Sequence, residues 1–432
     1  MNKALLFILI ILFLNNCTSD NKEILLEGKK TNLKKTSDIK TIRSQLIIDE
    51  QEFNPTIKIQ ISEGKFGINS DSNQNDIGEL GYQGFLERVG KYNFKNFNDF
   101  EYIETKLIYY NGGIVFFDNN GTIILYDQNQ NVIWKKNFYN KSEKKSNPRL
   151  NLAIKENILI VTDSVAKYYA VDLQTSEVLW TKKNIVPFNS DIKIGKDAFY
   201  SVDYKNILRS ISINDGSEIW SLKTEESLTK SSTKLSIAHD NKNIYFNNSI
   251  GDITAVNILS GQLLWQLPTQ NNDISKNAFQ LKGSKLVING NSILFSNNKN
   301  EFYSIDKKIG LINWKNQINS VLRPIVIGKY ILTISSSGYL YLADKISGNI
   351  LRINDLYKDY KYKKRINIFP TGFIIAMNKI YLSNDDGKLI IVDLDTGIIL
   401  DKIKITGNRI SQPYVFENDL FLIKNGSIIK YN

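Results

Sequence analysis

The sequence predicts an all-β fold, an eight-bladed β-propeller with four-stranded antiparallel blades. Three observations predict it. All five tryptophans, Trp134, Trp180, Trp220, Trp265 and Trp314, sit in one slot of a repeated motif, with successive gaps of 46, 40, 45 and 49 residues. Periods of that size mark repeat architectures. Each unit reads as strand, tight turn, strand, with an apolar strand upstream and a weaker one before it, so each unit supplies four strands.

The tryptophan-bearing pair of strands is clearest at Tyr169 to Trp180, where Tyr169-Ala-Val-Asp172 runs through a turn to Val178-Leu-Trp180. The frame repeats at Ile253 to Trp265, Phe302 to Trp314 and Ile211 to Trp220. Two later copies keep the turn and lose the tryptophan, at Leu342 to Arg352 and Ile391 to Asp401. The first copy, Tyr126 to Trp134, has a shorter turn without glycine. Asp or Asn opening the turn can accept from backbone two residues on. Gly216, Gly261, Gly310, Gly348 and Gly397 then supply left-handed dihedrals. These residues are therefore read as turn chemistry, not as metal ligands. The tryptophans are read as packing that fills the wedge between neighbouring blades.

The upstream strands are Ile114 to Asp118, Ile158 to Thr162, Ala198 to Val202, Ile244 to Asn248, Ile293 to Asn297, Tyr330 to Ile334, Ile380 to Asn384 and Leu420 to Lys424, which makes eight blades. Proline cannot donate to a ladder. Pro148, Pro187, Pro268, Pro324, Pro370 and Pro413 all fall where one blade crosses to the next. The eighth unit stops after its third strand, Ser427 to Tyr431. An N-terminal strand is expected to close this last blade, because an open sheet edge is an aggregation hazard. The strictly alternating Thr56 to Ile61 is the expected closing strand. Gly78 to Phe100 is then expected to be a crossing, partly helical at Phe85 to Val89.

The N-terminus sets the compartment. Lys3 precedes eleven unbroken apolar residues, Ala4 to Leu14, and then Leu14-Asn-Asn-Cys17. A run this short reads as a signal-peptide core and not as a membrane span. Cys17 is the only cysteine and stands where a bacterial lipoprotein signal places its acylated residue. The expected organisation is a lipoprotein signal peptide at 1–16, a flexible polar tether at 17–53 and the propeller at 54–432. With its one thiol acylated, the chain has no disulfide, CxxC or cysteine-zinc chemistry. Thr18 after the cysteine, in place of the Asp that retains enteric lipoproteins at the inner membrane, favours the outer membrane.

The net charge is +11, and +10 once the segment carrying Lys3 is removed, since 11 − 1 = 10. Two basic, aromatic-interleaved stretches, Lys135 to Arg149 and Lys358 to Arg365, lie at crossings and so emerge on one face. In an exported chain they suit anionic lipid or an acidic protein surface, not nucleic acid. One histidine, His239, is expected in a loop, and alone it builds no transition-metal site. No GxSxG, P-loop or GxGxxG pattern is present. No catalytic residue and no cofactor are therefore assigned.

The repeat Ala170-Val-Asp172 to Val178-Leu-Trp180 resembles that of pyrroloquinoline-quinone (PQQ) propellers. Together with the lipoprotein signal, Ser337-Gly-Tyr-Leu-Tyr341 and the ending Gly426-Ser-Ile-Ile429, it is similar to the BamB family of outer-membrane assembly lipoproteins over about residues 54 to 432. That resemblance implies a non-catalytic scaffold on the periplasmic face of the outer membrane. It would be lipid-anchored and monomeric within a hetero-complex with the BamA-like barrel-inserting subunit. It places partner contacts on the crossings Lys183 to Ser190 and Thr224 to Thr233. The candidate contact residues are Ile185, Val186, Pro187, Phe188, Leu228 and Lys230. A PQQ-dependent dehydrogenase and a glycan-binding propeller are the alternatives, although quinoprotein dehydrogenases carry a vicinal disulfide that one cysteine forbids. WD-repeat propellers are set aside, since there is no Trp-Asp pair.

Overall fold

The computed structural model describes residues 51–59, 72–82, 84–225, 233–269 and 281–432. These form eight sheets arranged as blades. Blade 1 runs from Ile108–Tyr110 to Val132–Asn137, blade 2 from Leu150–Lys155 to Val178–Lys183, and blade 3 from Lys193–Ile194 to Glu218–Lys223. Blade 4 runs from Ile237–His239 to Leu263–Leu267, blade 5 from Val287–Asn289 to Ile312–Asn316, and blade 6 from Ile325–Ile327 to Ile350–Asp355. Blade 7 runs from Pro370–Ala376 to Ile399–Lys404, and blade 8 holds Tyr414–Phe416, Asp419–Lys424 and Ser427–Tyr431. Within every blade, consecutive strands pair antiparallel. Crossings and the turns between strands 2 and 3 therefore share one face, the crossing face. The turns between strands 1 and 2 and between strands 3 and 4 share the other.

First strands of neighbouring blades touch one another, which sets them at the axis. Second strands such as Ala198–Val202 are wholly buried, whereas fourth strands such as Val178–Lys183 are mostly exposed. The core lies between blades, as a wedge-filling geometry requires. Leu332 and Leu342 of blade 6 join Leu382 and Ile390 of blade 7 in one cluster. A second cluster is aromatic and joins Phe94, Phe97, Phe116, Phe416 and Phe421 where blades 8 and 1 meet.

The repeat motif has a physical reason at each residue. In blades 1 to 7 the pairing of strands 3 and 4 slips by one residue just before the tryptophan slot, as between Val178 and Trp180. Such a bulge bends and twists its strand, turning the slot residue toward the next blade. There the indole N–H donates to the second residue of the neighbour's turn: Trp134 to Leu173 O (2.8 Å), Trp180 to Ile213 O (2.8 Å), Trp265 to Lys307 O (3.1 Å) and Trp314 to Lys345 O (3.1 Å). In the turns that meet Trp180, Trp220, Trp265 and Trp314 a glycine lies against that ring, whereas the turn that meets Trp134 has Ser176. A β-carbon on Gly216 would lie 2.5 Å from Trp180, and one on Gly348 would lie 2.5 Å from Trp314. Both glycines also have φ above +70°. Glycine is thus required twice over, for its dihedral and for the close approach. The turn-opening Asp does what its chemistry suggests: Asp306 Oδ1 accepts from Lys308 N and Ile309 N, and Asp344 Oδ1 from Ile346 N and Ser347 N.

Blade 8 is closed by an N-terminal strand, but a different one from that expected. Arg88–Asn93 pairs antiparallel with Ser427–Tyr431, Lys91 facing Ile429 and Tyr92 facing Ile428. No helix forms at Phe85 to Val89. As an outer strand, Arg88–Asn93 buries only Gly90 and Tyr92, so one of its two inward positions has no side chain and the alternation does not show. Thr56 to Ile59 forms no strand, and Gln60 and Ile61 lie outside the described residues. This segment instead runs along blades 6 and 7, with Ile59 N donating to Asp395 O and Ile57 exposed.

Candidate functional site

Two features could carry function: the ring axis and the crossing face. The axis is occupied by the chain itself. Segment 72–80, for which the sequence gives no periodic signal, winds past the first strands of successive blades. Asn73 Nδ2 donates to Ile194 O of blade 3, and Asn73 O accepts from His239 N of blade 4. Gln74 O accepts from Ile288 N of blade 5. Buried Asn75 donates to both Ile237 O (3.0 Å) and Leu286 O (2.7 Å), and its Oδ1 accepts from Lys193 Nζ (2.6 Å). Asp76 accepts from Asn289 Nδ2 (2.6 Å), and Glu79–Leu80 then pairs parallel to Ile375–Ala376 of blade 7. A polar strand-like segment thus satisfies inner-edge donors and acceptors that would otherwise face the channel.

His239 lies in this lining, not in a loop as expected. It belongs to the first strand of blade 4, buried, with Nε2 2.9 Å from Ile194 O and Nδ1 3.0 Å from Asp240 O. Burial holds its pKa below the ordinary value against the pull of those carbonyls. Its role is structural.

On the crossing-face side, an ion cluster covers Asn75. Lys285 Nζ lies 2.7 Å from Asp191 Oδ2 and 2.9 Å from Glu104 Oε1, and Lys234 Nζ lies 3.7 Å from Asp191 Oδ1. Lys106, Arg323, Gln412 and Tyr414 complete the lining. Burial alone would raise the Asp191 carboxyl, but Lys285 and Lys234 hold it well below its usual range. The space left among these side chains is about 20 Å³, enough for one or two water molecules. No group of three or more His, Cys, Asp or Glu that could hold a metal ion occurs among the described residues.

The crossing between blades 2 and 3 is held at both ends. Asn184 N donates to Ala166 O, Phe188 bridges Asp203, and Tyr204 N donates to Pro187 O. Asp203 is fully buried and takes Arg209 Nη2 at 3.1 Å. Of the four apolar residues proposed as contacts here, Phe188 turns inward onto Tyr168, with ring centroids 5.6 Å apart, and is core. Val186 and Pro187 are half-buried, and Ile185 projects with 82% of its surface exposed. Leu228 and Lys230 lie outside the described residues, as do Cys17 and all of residues 1–50, which hold the expected signal peptide and most of the expected tether.

Four-stranded blades locked tryptophan-to-turn around an axis lined by segment 72–80 define a β-propeller of the PQQ-repeat class. A family profile described as outer membrane protein assembly factor BamB matches residues 119–354. The chain belongs to that family. Among solved structures it is similar to BamB from Moraxella catarrhalis, at 15% identity over 80% of this chain and 99% of that one, with TM-score 0.66. It is also similar to a europium-containing methanol dehydrogenase, at 10% identity over 84% of this chain and 89% of the other, with TM-score 0.62. A third is the C-terminal WD40 domain of Sif2, at 11% identity over 80% and 98%, with TM-score 0.59. At these identities the structural likeness concerns the fold alone. No sequence match to a curated protein was found.

Proposed function

We propose that this chain is a non-catalytic scaffold lipoprotein of outer-membrane β-barrel assembly, held at the periplasmic face by an acylated Cys17. Residues 1–16 are its signal peptide, 17–53 its tether and 54–432 its propeller. It binds a BamA-like barrel-inserting subunit through crossings between early blades, with Ile185 as the projecting anchor and Leu228 and Lys230 on the neighbouring loop. The observation that carries this reading is the axis filled by Asn73 to Leu80, which leaves the loop surfaces as the working part of the ring. Family membership supports it. An exposed aliphatic side chain on a rigidly held loop is a suitable hot-spot geometry.

Affinity capture of the barrel-inserting subunit by the full-length protein tests the proposal. The wild type should retain it at physiological salt, and Ile185→Glu should lose most of it while leaving thermal unfolding unchanged. Equal capture by both proteins would refute the role of Ile185, and no capture by either would refute the scaffold reading. Acyl labelling absent from Cys17→Ser and present in wild type checks the anchor.

A further inference from the structure

The crossing between blades 6 and 7, unlike the basic and helical crossing between blades 1 and 2 (Lys141–Lys145), exposes large apolar side chains among its lysines. Its short helix, Tyr362–Arg365, follows Lys358 and Lys361 and carries Lys363 and Lys364, all exposed. Beside these lysines three large apolar side chains face solvent: Tyr362 at 52%, Ile366 at 38% and Phe369 at 51% exposure. They are not a loosely packed loop end. Ile368 between them is buried, Phe369 N donates to Asp385 Oδ1 (2.8 Å), and Arg365 is fixed to Asp355 (2.7 Å). The segment is thus held so that its apolar side chains point outward.

The positive charge continues onto blade 7. The ammonium groups of Lys364, Lys388 and Lys402 all lie within 5.0 to 5.1 Å of the Tyr360 ring centre. Asp386 and Asp359 partly balance them, at 3.5 Å from Lys364 and 2.7 Å from Lys402. Burial and then the neighbouring Lys364 hold Lys388 below its ordinary value, which is the mark of crowded positive charge.

A second observation names the occupant. The chain ahead of residue 52 joins the ring at this same crossing. Phe53 exchanges backbone hydrogen bonds with Ile353 (3.2 and 2.7 Å), and Asp355 N donates to Glu52 Oε1 (3.0 Å). Phe53 itself is 47% exposed. Glu52 and Phe53, to which the proposed tether leads, therefore sit beside the basic, aromatic crossing. Lysines with interleaved aromatic and aliphatic side chains suit the headgroup boundary of an anionic bilayer, where both contributions add. A free phosphate would use the lysines and leave the apolar side chains without a role.

The geometry points to the blade 6–7 crossing as a membrane-docking surface that lays Tyr362, Ile366 and Phe369 into an anionic phospholipid interface. This rests on the lipid-anchor reading above. It has a geometric consequence for the scaffold. In a ring of eight, the 6–7 crossing lies half a turn from the 2–3 crossing, so docking here holds Ile185 on the rim away from the lipid.

The native chain has one cysteine, acylated in the proposed form, so an introduced cysteine can carry the only reactive thiol. Full-length Ile366→Cys and Ile185→Cys, labelled with a polarity-sensitive fluorophore, would be reconstituted on vesicles of phosphatidylcholine with or without phosphatidylglycerol. The label at 366 should shift to the blue on phosphatidylglycerol vesicles and the label at 185 should not. A Lys358→Glu/Lys361→Glu/Lys363→Glu variant in the Ile366→Cys background should need roughly tenfold more phosphatidylglycerol for the same shift. Tyr362→Ser/Phe369→Ser, which keeps the charge, should also weaken the response. Equal responses at 185 and 366, or no effect of charge reversal, would overturn the inference. So would a shift at 366 that appears only when the barrel-inserting subunit is added. Capture of that subunit, measured on the wild type and on the Lys358→Glu/Lys361→Glu/Lys363→Glu chain with Ile185 unchanged, stays intact if only the lipid inference fails, and is lost with the lipid response intact if only the partner reading fails.

Discussion

Arg352 stands in the tryptophan slot of blade 6, and side-chain chemistry explains how it serves there. It is fully buried, and its Nη2 donates to Leu394 O (2.9 Å), the carbonyl equivalent to those that receive the indole N–H groups elsewhere. Its Nη1 also reaches Ile57 O (3.0 Å) and Asp395 O. Arg352→Ala should therefore cost about 3 kcal/mol in urea unfolding, from lost packing and orphaned carbonyls, whereas Arg352→Trp should cost less than half of that. Equal losses would mean that the slot is not interchangeable. Asp191 gives a second prediction at this scale. Its carboxyl is depressed in the folded state relative to an ordinary 3.8. A depressed acid contributes stability above its unfolded pKa, and that contribution fades as pH falls below about 4 toward the folded value. Asp191→Asn should lower the midpoint of thermal unfolding at pH 7 and flatten its decline below pH 4. A parallel decline in both proteins would show that the Lys285 cluster does not stabilise the fold.

Among the elements, the axial segment makes the most specific demand. Asn75 uses both amide hydrogens and its oxygen, so Asn75→Ala strands two carbonyls and takes one acceptor from the Lys193 ammonium, which keeps Ser72 O. A loss of about 2 to 4 kcal/mol is expected, with faster amide hydrogen exchange at His239 and Ile288, whose N–H groups are bonded to Asn73 and Gln74. Unchanged exchange there would mean that the segment is not a structural part of the axis. This element was invisible in the sequence for a physical reason. Its residues are fixed by hydrogen bonds to several different strands, and such a segment has no apolar period. The repeated strands and turns were legible because each carries its own local pattern: apolar alternation, a turn-opening Asp or Asn, and glycine at positive φ. The slot at Arg352 looked like a loss because a guanidinium and an indole share a donor but not a residue type. Ile185 could be singled out as apolar in a loop, while the inward turn of Phe188 depends on Tyr168, a contact that no spacing reveals.

For the molecule as a whole, closure depends on one pairing between residues far apart in the chain. Asn93 faces Ser427, and Arg88 faces Tyr431. An Asn93→Cys/Ser427→Cys disulfide should raise stability by about 4 kcal/mol under oxidising conditions, reversibly with reductant, because it closes a loop of several hundred residues. If the bridge forms only after unfolding, Arg88–Asn93 is not the closing strand. The closing strand escaped a reading by alternation because Gly90 takes one of its two inward places, while Thr56 to Ile59 alternates cleanly without pairing in a sheet. The same pairing fixes an order of events. While the chain is still being synthesised, the piece that must meet Ser427–Tyr431 is already present and waits with nothing to hold. Seven wedges can form, but the circle stays ajar until Ser427–Tyr431 is released. A stop codon that removes only those residues should therefore leave the entire protein open to proteases, a severity out of proportion to the length lost.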